Sequence, residues 1–124
     1  VAAAADLAGH WLLIAMLEYD PAGRPHDGPL GPRPRGSLYY GRDGYMSVHL
    51  SGDQGYIGYT GTWRLSPDGG RVTHTVLVSS DPAWDGTDQH REVVLDGGRL
   101  VLVRRDTVGG RPFRAALTWD RDPR

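Results

Sequence analysis

Apolar and polar residues alternate along most of this chain. Short runs rich in Val, Leu, Tyr, Thr and Trp are separated by Gly, Asp and Pro. A period of two marks strands that bury one face. The pattern predicts eight strands, at about 10–19, 36–41, 45–50, 56–65, 71–79, 87–95, 99–105 and 112–120. Only residues 2–8 read as helical, a short lead-in turn. Eight strands in one domain spanning 1–124 favour an all-β, antiparallel up-and-down barrel, because closure removes unpaired edges. A sandwich is the alternative.

Asp43-Gly44, Asp68-Gly69 and Asp96-Gly97 each fall between two strand-like runs. Asp-Gly suits tight hairpins, which need positive φ. In a meander every second turn lies at the same end, so these three close one end of the barrel. The longer connections 20–35, 51–55, 80–86 and 106–111 then ring the other end, the expected mouth. The 20–35 segment holds five of the nine prolines. It reads as a flap over the mouth or, equally, as a floppy surface connection.

Alternation also sorts inside from outside. On 71–79, Val72, His74, Val76 and Val78 share the expected interior face. Hairpin pairing puts Leu95 opposite Leu100, Val93 opposite Leu102 and Arg91 opposite Arg104. Looser pairings set Tyr59 near Val76, Gly61 near His74, Arg91 beside Val76 and Gln89 beside Val78. The expected interior belt is therefore Tyr59, Val76, Arg91 and Arg104, with His74 one layer deeper over an apolar floor of Trp63, Val72, Leu95 and Leu100. On 45–50 the apolar set Met46, Val48 and Leu50 is taken as interior, although the hairpin length leaves the face open. An error of one residue in register would reverse such assignments.

Composition narrows the chemistry. The chain has no cysteine, which excludes disulfides, thiol nucleophiles and cysteine metal sites. All 14 basic residues are arginine, which excludes Schiff-base lysines. Arginine-only usage with abundant Ala, Gly, Pro and Asp suggests a GC-rich bacterial genome. A net charge of −1 with mixed signs gives no nucleic-acid footprint. No run approaches the roughly 18 apolar residues of a membrane span. Residues 1–5 lack the pattern of a signal peptide, so a cytoplasmic protein is expected. The five histidines have no metal-ligand spacing, and neither a metal nor a cofactor is expected. Gly55-x-x-Gly58-x-x-Gly61 lies in a strand and is no nucleotide fingerprint. No Gly-x-Ser-x-Gly elbow is present.

What remains is the belt. Two facing arginines repel unless an anion lies between them. Arg91 reads as a clamp for a carboxylate or enolate, and Arg104 as a rim residue neutralised by Glu18, Asp88 or Asp106. His74 reads evenly as a satisfied core residue or as a general acid or hydrogen-bond donor. Trp84, in a mouth loop, either covers the opening or pins its own loop. Strands 10–19 and 99–105 are apolar on both faces, which predicts a homo-oligomer through that side.

Five ordered blocks carry a resemblance. They are Gly9-His10-Trp11; 36–48 from Gly36 through Tyr39-Tyr40 to Val48; Tyr56-Ile57-Gly58-Tyr59-Thr60-Gly61-Thr62-Trp63; Val72-Thr73-His74 with Asp81-Pro82-Ala83-Trp84-Asp85-Gly86 and Gln89-His90-Arg91; and Leu117-Thr118-Trp119-Asp120-Arg121. Together they resemble the bacterial lipocalin-like domain family, and the proline-rich 20–35 insert departs from it. The resemblance implies an eight-stranded barrel with an internal cavity and no single function. It also implies that Arg121 stacks on a tryptophan, Trp11 or Trp119, to plug the closed end. Similar small barrels include natural-product cyclases, some of them pericyclases.

Two functions follow as expectations. One is a cofactor-free cyclase or isomerase for an apolar, polyketide-like substrate. Tyr59, His74 and Arg91 would polarise or orient, and Met46, Val48, Trp63, Val76, Trp84, Gln89 and Arg104 would line the substrate. The other is a non-catalytic carrier or sensor of a small hydrophobic molecule. A hydratase or general acid–base isomerase would need a carboxylate partner for His74, and the sequence offers none.

Overall fold

The structure, a computed structural model, describes residues 2–124. Among them nine strands form one antiparallel sheet: β1 (Gly9–Tyr19), β2 (Pro25–Asp27), β3 (Arg35–Tyr40), β4 (Tyr45–Gly52), β5 (Gly55–Leu65), β6 (Arg71–Ser79), β7 (Asp88–Asp96), β8 (Arg99–Val108) and β9 (Arg111–Arg121). β1 and β3–β9 are neighbours in chain order, and β9 pairs back onto β1. These eight close the barrel. A short helix, α1 (Ala4–Leu7), precedes them. It is not long enough to cross a membrane, and no other described helix is.

Each expected strand is present, and β2 is an addition inside the proline-rich segment. β1 pairs with β3 through Gly9–Leu12 and with β2 through Leu17–Tyr19, on the same edge. A three-residue strand at a sheet edge accepts Pro25, whose missing N–H costs little there. Beyond β2, Leu30 is buried and its carbonyl accepts from Gln54 N. The segment is thus a folded flap pinned to the β4–β5 turn.

Turn lengths differ from expectation. Asp43 and Asp68 do not build two-residue turns. Their carboxylates accept from Tyr45 N (3.0 Å) and Gly70 N (2.9 Å), which holds wider loops. Asp96 does lead a tight hairpin: Gly97 and Gly98 have φ of +58° and +85°, and Asp96 pairs with Arg99. At the mouth, two expected long loops are two-residue turns, because Gly52 pairs with Gly55 and Val108 with Arg111. The long mouth connections are the flap and the segment around the 3₁₀ turn Pro82–Trp84.

Registers also move. Tyr59 pairs with Ser79, Gly61 with Val76, Arg91 with Val72 and Gln89 with His74. The loops are centred one or two residues away from the expected points, so the Gly61, Arg91 and Gln89 pairings slip by two or four residues, and Tyr59 slips by three because a bulged residue in β6 adds one. An even slip leaves every side chain on its face. Two bulges do change faces. One, at Ile14, puts Trp11, Leu13, Met16 and Glu18 toward the interior. The other, at Leu77, turns Val78 outward, 65% exposed, which corrects its expected interior position.

The closed end is sealed by Leu7, Trp11 and Arg121. Leu7 and Trp11 are fully buried, and the indole N–H of Trp11 donates to the Leu7 carbonyl at 2.9 Å. The Arg121 guanidinium lies 4.2 Å from the Trp11 ring centre and donates to the carbonyls of Ala8 and Asp6. This leaves the upper half of the barrel to enclose space.

Candidate functional site

That space is a cavity of about 140 Å³. Leu38, Val48, Leu50, Leu102 and Leu117 supply much of its apolar wall, from β3, β4, β8 and β9. Pro29 of the flap and Trp84 of the 3₁₀ turn cover the mouth side. Trp84 is half-buried, its ring 5.9 Å from that of Tyr59, and its carbonyl accepts from Thr87 Oγ1. It therefore both roofs the cavity and pins its own loop.

Polar groups gather on one wall. His74 is 3% exposed on β6. Its Nδ1 is 2.6 Å from the Tyr59 hydroxyl, and its Nε2 is 2.6 Å from the Tyr40 hydroxyl. The rings tilt against one another, with His74 5.5 Å from Tyr40 and 5.8 Å from Tyr59. Tyr40 stands behind the cavity wall and packs against Trp63, the ring centres 4.6 Å apart and the planes tilted. Burial, reinforced by the Arg91 charge, lowers the His74 pKa to about 3, so the imidazole is neutral near pH 7. Burial raises Tyr59 to about 12 against the opposing pull of Arg91, and raises Tyr40 well above the usual phenol range. The cluster is two phenols and one neutral imidazole.

Arg91 and Arg104 both reach the cavity. Arg104 pairs with Asp106 at 3.1 Å and packs on Phe113. Arg91 donates to the His90 carbonyl, and no carboxylate lies within ion-pair distance among the described residues. Burial, the largest influence, lowers its pKa. A half-buried guanidinium without a counter-ion can pair with an anion or donate to a carbonyl oxygen.

The expected residues divide accordingly. Tyr59, His74, Arg91, Val48, Trp84 and Arg104 line the cavity. Met46, Trp63, Val76 and Gln89 do not. Met46 and Val76 are buried deeper in the core. The Trp63 indole donates to the Gly41 carbonyl at the closed end. The Gln89 amide donates to Thr87 Oγ1. Among residues the sequence reading missed, Tyr40 matters most. It shares parity with Leu38 on β3, and that was its available signal. Trp119, expected only at the closed end, also lines the cavity. Its indole N–H is buried with no acceptor among the described residues.

A second polar array lies outside the barrel. His10 Nδ1 is 2.8 Å from Asp122 Oδ2, and its Nε2 is 2.5 Å from Ser37 Oγ. The connectivity is that of a nucleophile, base and acid. Yet Ser37 lies mid-strand, paired with both Leu12 and His49, so no backbone N–H pair is free to hold an oxyanion. The array clips the chain's C-terminal end to β1 and β3.

A closed eight-stranded meander with one interior cavity and an Arg–Trp plug agrees with the sequence comparison, in which residues 53–122 match the lipocalin-like domain family. The chain belongs to this family. The chain is also 37% identical over 78 residues to the 4'-hydroxy-3'-methoxypropiophenone carrier protein ppsC of Aspergillus oryzae. The alignment spans 56% of this chain and 69% of that relative. The interior cavity gives this barrel room for a small molecule.

Proposed function

We propose that this barrel is a carrier for a small, one-ring organic molecule bearing a carbonyl. The observation that carries the reading is the cavity itself, apolar on most sides with a tyrosine–histidine–arginine wall on one. Its volume supports a small ligand. An apolar cavity of about 150 Å³ holds a benzene ring, whereas sites for larger ligands run to roughly 300–1,000 Å³. A substituted phenyl ketone is nearer that size than a folded polyketide chain is. The relative's printed ligand, a hydroxy-methoxy propiophenone, is of the smaller class.

Two tryptophans, Trp84 and Trp119, line the cavity and report on it. Titration with 4'-hydroxy-3'-methoxypropiophenone is expected to change their emission saturably, with the ligand recovered unchanged. Absence of binding to any phenyl ketone would remove the reading.

A cofactor-free cyclase or isomerase is the second reading. The neutral His74 between two phenols favours it, since such a group can polarise a carbonyl in a dry site. An isomer of equal mass, formed by the protein and lost in Arg91→Ala or His74→Ala, would select it over the carrier.

We further propose association of two copies through the outer faces of β1, β9, β8 and β7. Leu12, Ile14 and Val94 are exposed there, and Val94, Val101, Thr118 and Ala15 form one row. Light scattering that shows a strict monomer at high concentration would exclude it.

A further inference from the structure

Proton counting fixes the direction of the Tyr40–His74–Tyr59 chain. A neutral imidazole has one N–H donor and one bare nitrogen. Each ring nitrogen of His74 faces one phenol at 2.6 Å. One phenol therefore donates to the ring and the other accepts from it. The two arrangements differ in cost. Tyr40 is fully buried and does not line the cavity, and among the described residues its hydroxyl meets only His74 Nε2. If Nε2 carried the proton, the Tyr40 O–H would point at nothing. A buried donor left unmade costs about 1–3 kcal/mol. With Nδ1 protonated, Tyr40 donates to Nε2 and Nδ1–H donates to the Tyr59 oxygen. The Tyr59 O–H is then free, and Tyr59 lines the cavity.

One other group on the cavity wall adds donors. The Arg91 guanidinium has only donors and lacks a carboxylate partner among the described residues. The one carboxylate on the wall is Glu18 of β1, paired with His26 of the flap strand and so on the mouth side.

We infer that the Tyr40–His74–Tyr59 chain is polarised with its free proton directed into the cavity, making the inner wall a donor surface that selects a ligand through an acceptor oxygen, a carbonyl or enolate, and rejects the hydrocarbon of the same shape. The inference deepens the carrier reading and rests on it for the ligand. The tautomer does not depend on that reading.

The test has two arms. Long-range ¹H–¹⁵N spectra of the intact protein at pH 7 distinguish the imidazole tautomers. His74 in the neutral Nδ1–H form is expected, and the Nε2–H form overturns the inference. In the second arm, propiophenone and propylbenzene are titrated into wild type and Tyr59→Phe. Wild type should bind the ketone about tenfold more tightly, the scale of one well-made hydrogen bond, and Tyr59→Phe should erase most of that ratio. Equal binding of both probes by wild type overturns the donor-wall inference and leaves the carrier reading standing. Binding of neither probe removes the carrier reading, and the spectra still decide the polarity of the chain.

Discussion

His74 Nδ1 and the Tyr59 hydroxyl lie 2.6 Å apart on adjacent strands, although Tyr59 pairs in register with Ser79 and His74 with Trp63. The side chains lean along the barrel axis to meet. That contact joins the buried core to the cavity wall, so changes at either residue are read both in stability and in binding.

The first consequence is a pH dependence. His74 has a folded pKa of about 3 against an ordinary 6.5. Below pH 6.5 the unfolded chain takes up a proton that the folded chain refuses. Stability from this group is therefore complete above pH 6.5 and declines between 6.5 and about 3, by up to about 1.4 kcal/mol per pH unit. Urea unfolding at pH 7 and pH 4.5 should show the loss, and His74→Gln should flatten the slope whatever its effect on absolute stability.

Tyr40→Phe keeps the ring against Trp63 and removes the donor to His74 Nε2. An unsatisfied buried nitrogen remains, at an expected cost of about 1–3 kcal/mol. Chemical denaturation measures this directly. A neutral outcome would mean that the Tyr40 hydroxyl does not hold the tautomer.

Arg91 has the opposite balance. It is half-buried without a carboxylate partner, so it contributes little to folding. Arg91→Met is expected to leave stability unchanged or raise it by about 1 kcal/mol, and to weaken binding of a carboxylate-bearing ligand by at least tenfold. A melting temperature several degrees lower would assign Arg91 to the fold instead.

Two glycines allow close backbone approach, one at the flap and one within the barrel. A Cβ at Gly52 would lie 2.3 Å from the Leu30 carbonyl oxygen, and one at Gly61 would lie 2.0 Å from the Thr75 carbonyl oxygen. Gly52→Ala should lift the flap and speed ligand release in stopped-flow fluorescence, with a modest loss of stability. Gly61→Ala strikes the β5–β6 ladder beside the bulge and should destabilise the whole barrel. Similar stability losses in both would show the flap to be part of the core.

The eight barrel strands, their order and the hairpin across Gly97-Gly98 were legible in the amino-acid pattern alone. These rest on local rules: a period of two, and residues that tolerate positive φ. It also placed Tyr59, His74 and Arg91 on the inner wall, because parity survives any even slip of register. The tertiary structure decided what parity cannot see. Bulges at Ile14 and Leu77 set Met16 and Glu18 inward and Val78 outward. Folding of the flap put Pro29 over the cavity and buried Leu30. Depth along the barrel sent Met46, Trp63 and Val76 behind the wall and brought Trp119 onto it. The Tyr40–His74 bond spans 34 residues of chain. Such contacts depend on where the barrel closes, and closure is a property of all eight strands together.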